Sequence, residues 1–512
     1  MSIQSIKIEN FKKFSSLELD LRHPITLIYG ENSSGKTSSI RALLGLMQTF
    51  LANNKYQTWN AQGDYVDLGL YKDYIKNHDT KEKFSIAVRS SAYTPYRFKY
   101  KRGAKHRHET EHKFTYEHDV STNQAKLFSF TETTYGENLM ELLNIDPQYN
   151  LDTVNGESVS IKIVKPKTRS YFHYTVDAKS IIGLFGNDAY DPDLKAHYIP
   201  SSQLTEITFD QKFQISSRNE EQKKHLNSSY LKFFPYNRAM DETEKFLSKI
   251  FYLGPLRMSP FRSYKISSHT SDVGPTGDTT PLALSYLHRR ALKDTTKNKQ
   301  HQTRYNNFLS WFAMIFPGYE IAVEQSEDVV RLKVKTAGRV DSISDVGFGF
   351  SQVLPILVQA ASMDPDHTLI IEQPELHLHP KAQVAFANFL TSASKVGVKF
   401  IIETHSEHIL KGLQLQISKG QLADVNSTSE SGHSTSDKSA NAGLSANSVK
   451  IYYFHRDDSV STMKLNRWGE IEGGWPDGFF DESYKISSEI VRNKIVSMSN
   501  HSAVVAKGSE RE

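Results

Sequence analysis

Residues 25–37 read ITLIYGENSSGKT, and this stretch decides the fold class. Its first five residues, Ile25 to Tyr29, form an apolar run typical of a buried strand. The next eight, Gly30 to Thr37, fit the pattern G-x-x-x-x-G-K-[ST] at every position. From Gly35 onward, apolar residues recur three and four positions apart, which predicts an amphipathic helix. The stretch therefore predicts a strand, a glycine-rich loop and a helix in immediate succession.

The loop in this stretch has the composition of a phosphate-binding loop. Its glycines let successive backbone N–H groups face an anion at a helix N-terminus. In this motif Lys36 reaches the β and γ phosphates, and the Thr37 hydroxyl ligates Mg²⁺. The alternative is a Gly/Ser turn that merely opens a helix. We expect the contacts to a bound nucleotide to come from Gly30, Glu31, Asn32, Ser33, Ser34, Gly35, Lys36, Thr37 and Ser38.

A second apolar run ends in acidic residues. Leu369 to Ile371 predict a strand that is buried on both faces of a parallel sheet, and Glu372, Gln373 and Glu375 follow it. A carboxylate at the carboxyl end of such a strand faces the bound nucleotide. Glu372 is therefore the expected Mg²⁺ ligand, directly or through water. A helix-capping acidic turn is the alternative interpretation.

Another buried strand is predicted at Val398 to Ile402, and His405 follows it. This places the histidine at the same edge of the sheet as Glu372. An imidazole there is able to hydrogen-bond a γ-phosphate or the attacking water. The alternative is an interior histidine whose hydrogen bonds are satisfied by the protein.

A fourth motif is the Gly/Ser segment SDVGFGFSQ at residues 344–352, which precedes an apolar helix. Gly347, Gly349 and Ser351 would form an anion site at the N-terminus of that helix. Because the segment is far in sequence from the phosphate loop, it is a candidate for contact with another subunit's nucleotide. A glycine-rich turn that only starts a core helix is the alternative.

Composition excludes several classes of function. The 512 residues are 38% hydrophobic and 23% charged, so the chain should fold, with about three domains as a prior from its length. The chain has no cysteine, which excludes disulfides, thiolate metal sites and cysteine nucleophiles. The net charge of +4 says little about nucleic acid. Without a secretory leader or a run of 18 apolar residues, we expect a cytoplasmic protein that does not span a membrane.

The order of these motifs predicts an α/β core that is interrupted by an insertion. The core is expected to be a mixed or mostly parallel sheet with flanking helices, and the insertion mostly β with some helix. The predicted units are a first core part at 1–60, the insertion at 61–250, a second core part at 251–425, a flexible Ser-rich loop at 426–448, and a C-terminal β segment with a tail at 449–512.

The motifs GENSSGKT, DVGFGFSQ, EQPELHLHP and ETHS follow one another in an order that resembles an ABC-type ATPase head of the SMC, RecF and OLD kind. A nearer likeness is to single-chain ATPases with a YLGPLR segment, here residues 252–257, and a WPDGFFD segment, here residues 475–481. Several of those ATPases serve bacterial anti-phage systems such as Septu and its retron-associated relatives. The likeness covers about residues 1–50, 251–280 and 340–485.

This resemblance implies a role for each motif. Gly30 to Thr37 would be Walker A, Glu372 would end Walker B, and His405 would be the switch histidine. Gly347 to Gln352 would be the signature that closes over the partner's ATP, so that two subunits sandwich two nucleotides. Since DVGFGFSQ differs from the family's LSGGQ, the register among the signature residues stays open.

One departure from the family pattern concerns hydrolysis. Many relatives have two acidic residues before the proline, and the second polarises the attacking water, whereas Gln373 stands at that place here. A neutral amide does not accept a proton as a carboxylate does. Either Glu375 or His405 takes over this task, or ATP hydrolysis is slow and ATP acts as a long-lived clamp.

Together these features predict an ATP-binding and ATP-hydrolysing switch that dimerises around Mg-ATP, or forms a higher homo-oligomer. The resemblance further implies that it controls a separate effector, a nuclease, in anti-phage defence. One alternative is an ATP-dependent scaffold with negligible hydrolysis. Another is a RecF-like DNA-repair ATPase that binds DNA.

A basic segment, Arg97 to His108, interleaves aromatic residues with cations. Cations neutralise phosphates and aromatic rings stack on bases, so the segment is a candidate nucleic-acid contact. A protein-docking edge is the alternative.

Overall fold

The computed structural model describes residues 2–51, 58–94, 106–135, 158–164, 173–177, 199–201, 204–209, 236–266, 270–294, 299–429, 443–474, 486 and 488–493. Its strands are β1 Ser2–Phe11, β2 Phe14–Asp20, β3 Ile25–Gly30, β4 Phe84–Thr94, β5 His106–Asp119, β6 Gln124–Tyr135, β7 Ser158–Val164, β8 His173–Asp177, β9 Ile199–Ser201, β10 Leu204–Phe209, β11 Ile250–Leu253, β12 Tyr264–Lys265, β13 Glu320–Gln325, β14 Val329–Thr336, β15 Arg339–Ser342, β16 Thr368–Glu372, β17 Lys399–Glu403, β18 Val449–Phe454 and β19 Val460–Met463. Its helices are α1 Lys36–Leu51, α2 Tyr71–Tyr74, α3 Tyr236–Leu247, α4 Thr280–Lys293, α5 Gln300–Ile315, α6 Phe348–Ser362, α7 Pro380–Lys395 and α8 Glu407–Ser429.

The central sheet has the strand order β11-β16-β17-β3-β18-β19. Its first five strands are parallel, and β19 joins β18 as an antiparallel hairpin. β17 therefore lies between β16 and β3, although these two strands are more than 300 residues apart in sequence. The carboxyl ends of the three strands meet at one edge of the sheet.

The continuous apolar runs of these strands reflect burial on both faces. Ile28, Ile370 and Ile401 lie on one face and pack with α1. Their chain neighbours Leu27 and Ile371 lie on the other face, in the core that α4, α5, α6 and α7 share. A strand covered by helices on both sides has no solvent-facing residues, so it reads as an unbroken apolar run.

A second sheet, which is antiparallel, has the order β2-β1-β4-β5-β6-β7-β8-β10-β9 in the described residues. β4 pairs directly with β1, so the predicted insertion extends the N-terminal sheet by hydrogen bonding instead of standing apart. Helix α1 packs between this sheet and the parallel one. The expected α/β class, with a parallel core split by a mostly β insertion, is confirmed.

The segment that was predicted to be a flexible loop, 426–448, begins inside a helix. Helix α8 continues through Ser429, and Ala446–Ser448 forms a 3₁₀ turn before β18. A helix anchored by the buried Ile409, Leu413 and Ile417 extends through polar residues at small cost per residue, because nucleation is already complete. Residues 430–442 lie outside the described residues, as do Trp475 to Phe480 of the C-terminal segment.

The basic segment Arg97 to His108 also lies largely outside the described residues. Only its last three positions, 106–108, are placed, as the start of β5. Within the described parts of the chain, no helix is long and apolar enough to cross a membrane.

Candidate functional site

The loop between β3 and α1 adopts a backbone that its glycines make possible. Gly30 has φ +148° and Gly35 has φ +96°, a region in which residues with a side chain are strained. A Cβ at Gly30 would lie 2.3 Å from the carbonyl oxygen of Phe454, and one at Gly35 would lie 2.7 Å from the ring of Phe14. Both motif glycines are thus required by conformation and by close packing.

Lys36, the first residue of α1, is buried and folds back over its own loop. Its Nζ donates to the carbonyl oxygens of Gly30, at 2.9 Å, and Glu31, at 2.6 Å. Burial lowers the pKa of this ammonium, against the opposing charges of Glu403 and Glu31. A phosphate in the loop would compete with the two carbonyl oxygens for the same ammonium group.

Two carboxylates lie side by side at the edge where β16 and β17 end. Glu372 and Glu403 are registered partners on these parallel strands, and only 6% and 3% of their surfaces are exposed. Each glutamate comes two residues after an isoleucine, Ile370 or Ile401, and so points to the same face of the sheet. This is the face that α1 covers. The Thr37 hydroxyl donates to Glu403 Oε1 at 2.9 Å. The second oxygen, Oε2, has no hydrogen-bond partner among the described residues.

Glu403 was not among the predicted site residues. The signal was nevertheless present, because both strands end in the same letters, Ile-Ile-Glu, at residues 370–372 and 401–403. The two glutamates lie side by side only because β16 and β17 are neighbours in this register. The sequence does not show which strands are neighbours.

Burial has the largest effect on the pKa values of Glu372 and Glu403. It raises the pKa of Glu403 to about 7, and the neighbouring charge of Glu372 adds to the shift, while Thr37, Lys36 and Arg41 oppose it. Burial likewise raises the pKa of Glu372. The Tyr252 hydroxyl donates to Glu372 Oε1 at 2.9 Å and acts against this rise.

A buried arginine holds the turn that follows β16. Arg257, the last residue of the YLGPLR segment, is 6% exposed, and its Nη2 donates to the backbone oxygen of Glu372 at 2.8 Å. Its Nε and Nη1 have no partner among the described residues, and burial lowers its pKa to about 10. The YLGPLR pattern in the sequence does not by itself single out this residue.

Glu375 links the turn after β16 to the loop after β17. Its Oε2 accepts from the Thr404 hydroxyl at 2.7 Å, and its Oε1 accepts from the backbone N–H of His405 at 2.7 Å. Gln373 sits between the two glutamates with φ +46°, and its N–H donates to the carbonyl oxygen of Glu403 at 2.7 Å. Since both Glu375 oxygens are occupied by donors, this carboxylate anchors the loop of His405.

The imidazole of His405 is exposed at the same edge of the sheet. Burial of part of the ring lowers its pKa, and the charge of Lys36 lowers it further. The ring is therefore neutral at neutral pH, and it lies close enough to the phosphate loop to respond to the Lys36 ammonium.

Helix α6 begins inside the Gly/Ser segment, at Phe348, whereas the sequence predicted that the whole segment precedes the helix. Gly347 is the N-cap residue, and the Ser351 hydroxyl donates to the carbonyl oxygen of Phe348 at 2.8 Å. A Cβ at Gly349 would lie 3.1 Å from the carbonyl oxygen of His377, whereas one at Gly347 would meet nothing within 4 Å. The exposed part of the segment is therefore its beginning, at Gly347 and the largely exposed Phe348.

The hairpin of β18 and β19 lies against the phosphate loop, which sequence reasoning did not predict. Arg456 Nε contacts Glu31 Oε2 at 2.6 Å, and Asp458 Oδ1 contacts Lys13 Nζ at 2.5 Å. The C-terminal part of the chain thus supplies one wall of the site.

Two family descriptions match the chain. Residues 1–410 match the family described as AAA ATPase domain, and residues 444–486 match a family described as protein of unknown function (DUF3696).

Similarity to curated proteins is confined to a short region. The chain is 34% identical over 101 residues to the DNA replication and repair protein RecF of Chlorobaculum parvum, and equally to that of Chlorobaculum tepidum. The matched region is 19% of this chain and 26% of each relative, so the chain spans about a quarter of the length of these proteins.

Solved structures with some similarity are heads of Smc proteins. The SmcHead bound to the C-winged helix domain of ScpA is 12% identical, with a TM-score of 0.37 over 91% of this chain and 98% of that one. The Smc head with an extended coiled coil, bound to the C-terminal domain of ScpA derived from Pyrococcus furiosus, is 13% identical, with a TM-score of 0.34 over 96% and 99%. The SMC head domain from Thermotoga maritima is 11% identical, with a TM-score of 0.30 over 80% and 92%.

The raised pKa of Glu403 predicts a pH dependence of stability. Between the ordinary pKa of 4.5 and the folded value of about 7, the folded state holds a proton that the unfolded state releases. Stability therefore falls as pH rises through this window. In EDTA, Glu403→Gln should flatten the dependence of the unfolding free energy on pH, measured by urea unfolding. Glu324→Gln, at an exposed position of β13, should not. Equal slopes in the parent chain and Glu403→Gln would contradict the assignment.

Proposed function

Because the chain belongs to the AAA ATPase domain family, we propose that it binds Mg-ATP at residues 30–37, closes into a homodimer around it, and thereby controls a separate effector. The observation that carries this proposal is the convergence, at one sheet edge, of the glycine-rich loop, Lys36, Thr37 and the buried Glu372. This is the arrangement that nucleotide phosphates and their cation need.

Each group at the edge has a task in this proposal. Lys36 binds the β and γ phosphate oxygens in exchange for its two backbone carbonyl partners. Thr37 and Glu372 hold Mg²⁺, which neutralises charge on the phosphates when it is bound. The neutral His405 imidazole hydrogen-bonds the γ-phosphate or the attacking water. Its backbone position is set by Glu375.

Hydrolysis in this scheme is slow. The residue next to Glu372 is Gln373, whose amide does not accept a proton from water. Glu375 is a poor substitute, because both of its oxygens already accept hydrogen bonds from Thr404 and His405. ATP would then hold the dimer closed for long periods, which suits a switch better than a motor.

The biological setting belongs to the same proposal. The likeness of the YLGPLR and WPDGFFD segments to ATPases of anti-phage systems supports a cytoplasmic defence switch with a nuclease as its effector. One alternative is a scaffold that binds ATP but does not hydrolyse it. It would retain intact ATP after long incubation with Mg²⁺.

The RecF similarity favours a second candidate function, a DNA-repair ATPase. In this case the basic segment Arg97 to His108 would contact DNA phosphates. ATP turnover that rises with DNA, without any effector protein, would favour repair over the effector switch.

The phosphate-loop assignment predicts that Lys36→Ala loses nucleotide binding, since Lys36 is the cation that the loop places over the phosphates. Titration with a fluorescent ATP analogue measures the affinity. Lys335→Ala, which removes an exposed lysine from β14, is the matched control and should bind as the parent does. Parent-like affinity in Lys36→Ala would refute the assignment.

If Gln373 makes ATP hydrolysis slow, a carboxylate at this position should raise the rate of hydrolysis. Gln373→Glu supplies a carboxylate able to orient and deprotonate water, an effect typically worth about 10²–10⁴-fold in rate. Phosphate release under saturating Mg-ATP measures the rate, and ATP affinity serves as the control. If the variant binds ATP but turns over no faster, another residue already supplies the base.

The shared-site dimer predicts complementation between two inactive variants. Gly347→Arg places a bulky side chain in open space at the start of α6, so each monomer should still bind ATP but fail to dimerise. Mixed with Lys36→Ala, it should form dimers with one composite site, which light scattering with Mg-ATP detects. Normal dimers from Gly347→Arg alone would overturn the arrangement.

A further inference from the structure

The edge of the central sheet contains one acidic group that the proposed function does not use. Glu403 is the registered partner of Glu372, and neighbouring strands in a sheet are about 4.8 Å apart. Both side chains lie on the side of the sheet that α1 covers, next to the hydroxyl of Thr37. The carboxylates of Glu372 and Glu403 and the Thr37 hydroxyl therefore lie next to one another at this edge of the sheet.

The charges of Lys36, Arg41 and Arg257 act on this pair of carboxylates without forming a direct ion pair with it. Among the described residues, no ion pair reaches either carboxylate, and Glu403 Oε2 is buried without a hydrogen-bond partner. The Lys36 ammonium is directed to backbone carbonyl oxygens, and the Arg257 guanidinium is directed to the backbone oxygen of Glu372. A buried carboxylate oxygen without a donor is costly, so this atom is the one expected to bind a cation.

We infer that Glu403 is a second carboxylate ligand of the divalent cation that accompanies the nucleotide, beside Thr37 and Glu372. Hard oxygen donors of this kind suit Mg²⁺ or Mn²⁺. The inference rests on the proposed function and deepens it, because two buried carboxylates would neutralise the cation within the protein itself. The bound cation would then tie the end of β17, and with it the loop of His405, to the phosphate loop.

The experiment measures Mn²⁺ binding by electron paramagnetic resonance, with the full chain and a saturating non-hydrolysable ATP analogue. Glu403→Gln should weaken Mn²⁺ binding by at least about tenfold. Glu372→Gln should weaken it by a comparable factor. The control is Glu407→Gln, four residues further at the start of α8, where the carboxylate pairs with Lys411. It should bind Mn²⁺ as the parent chain does.

A second measurement separates cation binding from the integrity of the site. In EDTA, Glu403→Gln should bind the fluorescent ATP analogue as well as the parent does, because its amide oxygen still accepts from Thr37. Parent-like Mn²⁺ affinity in Glu403→Gln, with loss in Glu372→Gln alone, would overturn the inference. So would loss of analogue binding by Glu403→Gln in EDTA, which would show that the residue supports the loop instead of the cation.

Different results would contradict the proposed function and the role of Glu403. If the parent chain binds no ATP analogue, the proposed function is wrong and the inference falls with it. If the parent chain binds both analogue and Mn²⁺ while Glu403→Gln behaves identically, the proposed function stands and the role of Glu403 alone is wrong.

Discussion

The parallel hydrogen bonding of β17 between β16 and β3 is the constraint on which the rest of the site depends. This register places Glu372 beside Glu403 and aligns Glu403 with Ile28, two residues before the phosphate loop begins. A shift of β17 by one residue would turn Glu403 to the opposite face from Glu372, since side chains alternate along a strand. The apolar core on both faces prevents such a shift, because it would expose or misplace every buried side chain of the strand.

Around that register, the protein brings acidic groups together and limits the resulting repulsion with neutral donors. Tyr252 and Thr37 each donate one hydrogen bond to a glutamate of the pair. The buried Arg257 instead donates to the backbone oxygen of Glu372. Dipoles and a fixed backbone thus position the carboxylates without neutralising them. Glu403 Oε2 is thereby left without a donor among the described residues, and burial keeps the pKa of this carboxyl raised.

Local patterns in the sequence were sufficient to predict the strand–loop–helix unit of β3 and α1, the apolar strands and the α/β class, because each depends on residues close together in the chain. The position of Lys36 and the strand ends at Glu372 and Glu403 follow from such patterns. The pairing of Glu372 with Glu403, the contact of Arg257 with the backbone and the hairpin beside Glu31 depend on long-range register and packing. The same limit applies to β4, whose pairing with β1 joins the insertion to the N-terminal sheet.

The place of β18 beside β3 has a consequence for synthesis on the ribosome. The phosphate loop is among the first segments to emerge, but its wall at Phe454 is translated more than 400 residues later. At about 5–20 residues per second, the loop waits roughly 20–80 s for its neighbour. For most of that time β3 lacks both of its flanking strands, β17 and β18, so its apolar side chains are not yet buried in the parallel sheet. A chain that ends before β18 therefore lacks Phe454, the residue that packs against Gly30 of the loop.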